Sequence, residues 1–249
     1  MRQAGLIIAA VLVFFVASVC LVPQIALHSA RVQVKKEWLT AKTGTPEERA
    51  FEYAEINSIP KSLPKKIALS NNYTNTIWLN VAGSDFGFPG DRFTRDSDPK
   101  RENIELHGAR YRILVSSGSG LREWAPLLSF VNETNFFGFS RRAFNTTAND
   151  IDRQKDALGV YRCSILLKAK VMMEASGYTD SCIEFDRGDL KGFIMGDPAR
   201  DKILNIRIYS SAGQKYIDVG VIQEVTQEKH IQFSDIEELI AAIKTREAD

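Results

Sequence analysis

"YTDSCIEFDRGDLKGF" runs from Tyr178 to Phe193, and "YTNTIWLNVAGSDFGF" runs from Tyr73 to Phe88. The two stretches stand 105 residues apart and hold that spacing position by position: Tyr73 meets Tyr178, Thr74 meets Thr179, Gly83 meets Gly188, Gly87 meets Gly192 and Phe88 meets Phe193. Farther along, Arg95-Asp96 meets Arg200-Asp201, Gly108 meets Gly213 and Tyr111 meets Tyr216. Matches that share order and spacing imply duplication of one structural unit.

Local patterns fill in that unit. Ile203 to Tyr209 alternates, with Ile206 and Ile208 opposed by Asn205 and Arg207. Tyr216 to Val225 alternates again, with Ile217, Val219 and Val221 on one side. Two alternating runs around the short loop "SSAGQ" predict a hairpin. Strands are also expected at Leu190 to Met195 and, in the first copy, at Ile77 to Val81, around Ile104-Glu105-Leu106 and at Tyr111 to Val115. The repeated glycines suit turns that need positive φ or close backbone approach.

Helix signals flank both copies. Thr45-Pro46-Glu47-Glu48 has the form of a capping box, and Ser234-Asp235-Ile236-Glu237 opens a last helix with an apolar stripe of Ile236, Leu239, Ile240 and Ile243. The longest helix is expected between Asn149 and Ser176, with Ile151, Leu158, Tyr161, Ile165 and Met172 on its core face and Gly159 as a kink. A shorter helix is expected at Trp124 to Phe130, and Lys61 to Asn72 reads as a linker.

The first residues speak to location. Ala4 to Val22 carries no charge. At about 1.5 Å per residue, such a helix just spans a hydrocarbon core of about 30 Å. An uncleaved anchor is favoured over a cleaved signal, whose apolar core is shorter. Beyond the run only two cysteines remain, Cys163 and Cys182. An even number in an exported domain suits a disulfide, and the alternative is two buried free thiols; chain reach permits the bridge without requiring it. Arg31, Lys35 and Lys36 on the body side lean toward a cytoplasmic body, while a minimal basic tail before an apolar run is how exported domains begin; the expected location is the periplasm, on a single-pass inner-membrane anchor.

The expected fold class is therefore α+β: an N-terminal transmembrane helix followed by two tandem, similar lobes, each a small antiparallel sheet flanked by helices. The corresponding segments are 1–30 (anchor), 31–72 (helix and linker), 73–147 (first repeat) and 148–249 (second repeat).

Chemistry is sparse. A formal net charge of +1 leaves no electrostatic footprint for nucleic acid. The three histidines stand in no metal-ligand spacing, and no phosphate-loop or dinucleotide motif occurs. "SSGSGL" has the wrong glycine spacing for a nucleophile elbow. Asp91, Asp96 and Asp98 cluster in sequence but miss the calcium-loop pattern, so no metal or cofactor is expected. The recurring pairs Arg95-Asp96 and Arg200-Asp201 are the candidate binding residues, because two equivalent arginine forks could face one partner.

These observations favour a non-enzymatic, membrane-anchored envelope protein that binds a protein partner through its lobes. An inhibitor or immunity protein against a toxin is one concrete form. The alternatives are an envelope hydrolase using carboxylates of the Asp85 to Asp98 loop, and a small-ligand sensor or transport accessory.

Overall fold

A computed structural model of the chain describes residues 18–19, 21–37, 65–70, 73–81, 83–96, 104–118, 122–174, 182–196, 203–210, 214–223 and 231–246. The helices are α1 (21–37), α2 (Phe136–Asn145), α3 (Asn149–Arg153), α4 (Ala157–Glu174) and α5 (Phe233–Ala242), with a 3-10 turn at Arg122–Leu127. The strands are β1 (Lys65–Lys66), β2 (Thr76–Val81), β3 (Ser84–Pro89), β4 (Phe93–Arg95), β5 (Ile104–Gly108), β6 (Tyr111–Ser117), β7 (Cys182–Asp186), β8 (Leu190–Met195), β9 (Ile203–Ser210), β10 (Tyr216–Gln223) and β11 (Lys244–Arg246). The chain divides into a smaller unit, Met1–Ser58 with Thr146–Lys168, and a larger one, Ile59–Asn145 with Ala169–Asp249.

The larger unit corrects the expectation of two tandem lobes. Both copies of the repeat join one eight-stranded mixed sheet of order β1-β7-β8-β9-β10-β6-β5-β4. The physical reason lies in the central pair. β6 and β10 are repeat equivalents and pair antiparallel with each other, so two edges that would otherwise stay open are closed. Leu114 pairs with Gly220 and Val115 with Val219. Positions 114 and 219, like 115 and 220, are themselves 105 apart, so exchanging the copies maps this pairing onto itself. The first copy then departs from the second. Its β2–β3 hairpin leaves the large sheet and forms a three-stranded one with β11.

The duplication survives in local geometry. Gly83 turns β2 into β3 at φ 72°, and Gly188 turns β7 into β8 at φ 95°. Both are left-handed positions that side chains rarely adopt, which explains why both copies carry glycine there.

Each face of the large sheet is covered. On one face Ile113, Val115, Ile206, Ile208, Ile217 and Val219 share a core with Ile236, Leu239, Ile240 and Ile243, the predicted stripe of the last helix. Leu79, Phe86 and Phe88 of the small sheet belong to the same core. Fully burying each such side chain contributes about 1.5–3 kcal/mol. On the other face lies α2, which is not among the helices expected from the sequence. Its Phe137 stacks on Phe193 at 5.5 Å between centroids, Phe144 meets Phe193 at 4.9 Å, and Phe136 meets Tyr216 edge-on at 5.6 Å. Arg207, polar in the alternation, is therefore buried.

The expected long helix is two helices. α3 ends where Gln154 turns extended (ψ 141°), and α4 restarts with the Asp156 carboxylate accepting the Gly159 N–H at 2.7 Å. Gly159 thus lies in a first turn and not at a kink. The expected core face is also displaced, since Leu158 and Tyr161 are exposed. Val160, Cys163 and Leu167 instead pack with Ala30 and Val34 of α1 and with Ala148 and Ile151. Arg31 fastens α1 by donating to the carbonyls of Asp152 (2.8 Å) and Gln154 (2.7 Å).

The expected transmembrane helix is corrected as well: among the described residues no helix is long and apolar enough to cross a membrane. Residues 4–17 and 20 of the apolar run lie outside the described residues, as does the helix expected from Thr45. Within the expected linker, Lys65–Lys66 forms β1 and pairs parallel with β7.

Candidate functional site

Three segments of the larger unit converge on a cleft of about 350 Å³: the turn into β4, the β5–β6 turn and the first turns of α5. Its apolar wall is made by Phe93 and Tyr111, whose rings meet edge-on at 5.6 Å. Gly108 permits this contact, because a Cβ there would lie 2.8 Å from the Phe93 ring and 2.8 Å from the Tyr111 carbonyl. Burial pushes the Tyr111 phenol up to about 12, so its hydroxyl stays protonated at neutral pH.

Charged groups line the cleft in pairs. The Arg92 guanidinium donates to Glu238 at 2.9 Å and lies 5.0 Å from the centre of the Tyr73 ring. Arg110 pairs with Asp235. Asp235 also serves the helix: its other carboxylate oxygen accepts the Gln232 N–H at 2.7 Å and so caps the start of α5. The helix cap thereby fixes the carboxylate that orients Arg110. Asp91 accepts the Thr74 N–H at 2.8 Å and the Thr74 hydroxyl at 3.1 Å. The Thr74 backbone bond holds the Asp91 carboxyl below its ordinary range. Arg92 and Arg110 each keep over a third of their side chain in solvent, 41% and 45% exposed. The cleft therefore presents two oriented guanidinium groups beside an aromatic wall.

The candidate residues from the sequence fall nearby only in part. Arg95 ends β4 and is exposed. The Asp96 N–H donates to the Glu105 carbonyl at 3.0 Å. Asp96, Glu105 and His107 bring donor atoms within 4.8 Å of one another. Two carboxylates and an imidazole suit a metal by type. Here, however, Glu105 Oε1 already accepts from Arg112 at 2.6 Å and lies 3.5 Å from His107 Nε2, so an added cation would meet that guanidinium. The cluster reads as an ion-pair network. Arg200 and Asp201 lie outside the described residues.

The carboxylates of the Asp85 to Asp98 loop are dispersed among separate structural roles. Asp85 accepts from Asn80 at 2.7 Å on the small sheet, Asp91 is held by Thr74, and Asp98 lies outside the described residues. Cys163 and Cys182 are both buried and are not joined in a disulfide.

Sequence patterns alone do not single out Arg92, Arg110 or Glu238, and they show Asp235 only as part of a helix start. The available signal was Gly108-Ala109-Arg110, a repeated glycine next to a turn arginine. Comparison with protein-family models, with curated proteins and with solved structures finds no match.

Proposed function

We propose that this chain is a non-enzymatic, membrane-associated binding protein of the bacterial envelope that grips a protein partner at the Arg92–Arg110 cleft. The supporting observation is the pair of half-exposed guanidinium groups, each oriented by a carboxylate of α5, set against Phe93 and Tyr111. Arginine and aromatic groups dominate the energetic centres of protein interfaces, and prior orientation lowers the entropy lost on binding. An acidic loop of the partner is the complementary chemistry. A toxin neutralised in the envelope is the concrete partner class.

The test is affinity capture of the full chain from detergent-solubilised membranes, comparing the wild type with Arg92→Glu and Arg110→Glu. Loss of a central arginine contact weakens binding by about 2 kcal/mol, or about thirtyfold. A partner captured by the wild type and lost from both variants supports the reading. An identical set of captured proteins from all three removes the cleft from the interface.

A further inference from the structure

The start of α1 is exposed along its length. Every described residue from 19 to 26 is exposed, including Val19, Leu21, Val22 and Ile25. Only from Leu27 onward does α1 pack against the small core. These turns continue the uncharged run Ala4 to Val22. Just beyond them, α1 and the α3–α4 junction enclose a groove of about 570 Å³, lined by Gln24, Leu27, His28, Arg31, Arg153, Gln154 and Lys155.

The charge of this rim is positive. Arg31 is bonded to two carbonyls, and no carboxylate among the described residues neutralises it. Three acids border the groove, Asp150, Asp152 and Asp156. Asp152 pairs with Lys35 at 2.7 Å, and Asp150 pairs with Arg153 at 3.1 Å. The Arg153 side chain stays 71% exposed. Arg31, Lys35, Arg153 and Lys155 against Asp150, Asp152 and Asp156 leave one positive charge in excess. From Ile25 to Arg31 the helix rises about 9 Å. A bilayer's headgroup layer is about 5–8 Å thick on each side. Apolar turns seated at the acyl boundary therefore place the groove at phosphate level.

We infer that the smaller unit docks on a membrane surface bearing anionic phospholipid, with residues 19–26 at the acyl boundary and the Arg31–Lys155 groove on the headgroup phosphate. The inference rests on the proposed membrane association and is independent of the cleft.

The test uses the full chain, purified in detergent and transferred by detergent removal into a mixture of two vesicle types. One is pure phosphatidylcholine, and the other contains about one-third phosphatidylglycerol. The wild type is expected to favour the anionic vesicles. Arg153→Gln with Lys155→Gln, which removes two positive charges at about fivefold each, should abolish that preference. Raising NaCl to about 0.5 M should erode it in the same way. Ile25→Glu should lower recovery on both vesicle types, and thermal melts establish that all variants fold. Equal partition of the wild type, or a preference untouched by the double variant, overturns the inference while leaving membrane attachment standing. A preference abolished by about 10 mM inorganic phosphate at constant ionic strength marks a free-anion site and overturns the lipid assignment. Chains that leave both vesicle types and self-associate show that a second copy covers the apolar turns, which also overturns it.

Discussion

Asp218 on β10 holds Arg207 on β9 at two points, Nε to Oδ1 at 2.6 Å and Nη2 to Oδ2 at 3.1 Å. The two residues are directly opposed in the sheet register, on the face covered by α2. The Arg207 side chain is 8% exposed, and its guanidinium lies 5.3 Å from the centre of the Tyr216 ring. Removing one partner leaves the other charge buried and unpaired, which costs about 3–5 kcal/mol. Asp218→Ala is expected to lower the urea midpoint sharply. Replacing both residues with apolar ones, as Arg207→Met with Asp218→Leu, should restore much of the loss. The comparison is made by denaturant unfolding of the single and double variants.

Glu184 supplies the pH dependence. It lies on β7, 4% exposed, and burial raises its carboxyl above the ordinary value. Arg141 Nε, 3.1 Å from Oε2, offsets this only in part. A raised carboxyl means that the folded protein binds its proton more tightly than the unfolded chain does. The stabilising contribution is full below the unfolded value of 4.5 and is lost as pH rises through the folded value. Glu184→Gln should therefore match the wild type in melting temperature near pH 4 and exceed it near pH 7. Equal melting curves for the two proteins at neutral pH would refute the assignment.

The strands were largely legible because alternation survives at Ile203–Ser210 and Tyr216–Gln223, and because the last helix carries a clean stripe at 236, 239, 240 and 243. Their assembly was not legible. Period-two patterning says which face a residue takes, but not whether two copied strands pair with each other or with separate neighbours. β6 and β10 pair with each other. α2 was legible but not among the expected helices: Phe136, Phe137, Phe139, Ala143 and Phe144 share one face opposite Arg141, Arg142 and Asn145, and Asn135 caps its start by accepting the Gly138 N–H at 2.8 Å. The cleft was hidden because Arg110 and Asp235 are 125 residues apart and meet only in the folded chain. Asp235 was visible as a helix start, and its second role was not.

The glycines separate two kinds of constraint. At Gly188 a Cβ would meet nothing within 4 Å, so the cost of Gly188→Ala is the left-handed backbone alone, about 1–2 kcal/mol. Gly188→Asn should recover part of that loss, since asparagine tolerates this region better. At Gly108 the obstacle is contact with Phe93 and the Tyr111 backbone. Gly108→Ala and Gly108→Asn should both destabilise, asparagine at least as strongly. They should also change the near-ultraviolet circular dichroism of the aromatic wall, which the Gly188 variants leave alone.

The two buried cysteines make a prediction that bears on compartment as well as fold. Cys163 sits in the core of the smaller unit at 4% exposure, and Cys182 opens β7 at 6% exposure. As buried, unbridged thiols they should resist alkylation in the native protein and react together once the chain unfolds. A mild reductant should leave the melting temperature unchanged. A structural disulfide would behave otherwise, because its reduction typically costs about 2–5 kcal/mol. Peptide mapping after alkylation, with and without reductant, reads both sites. Recovery of a Cys163–Cys182 cross-linked peptide from freshly prepared protein would mean that the chain matures in an oxidising compartment, with the two thiols joined.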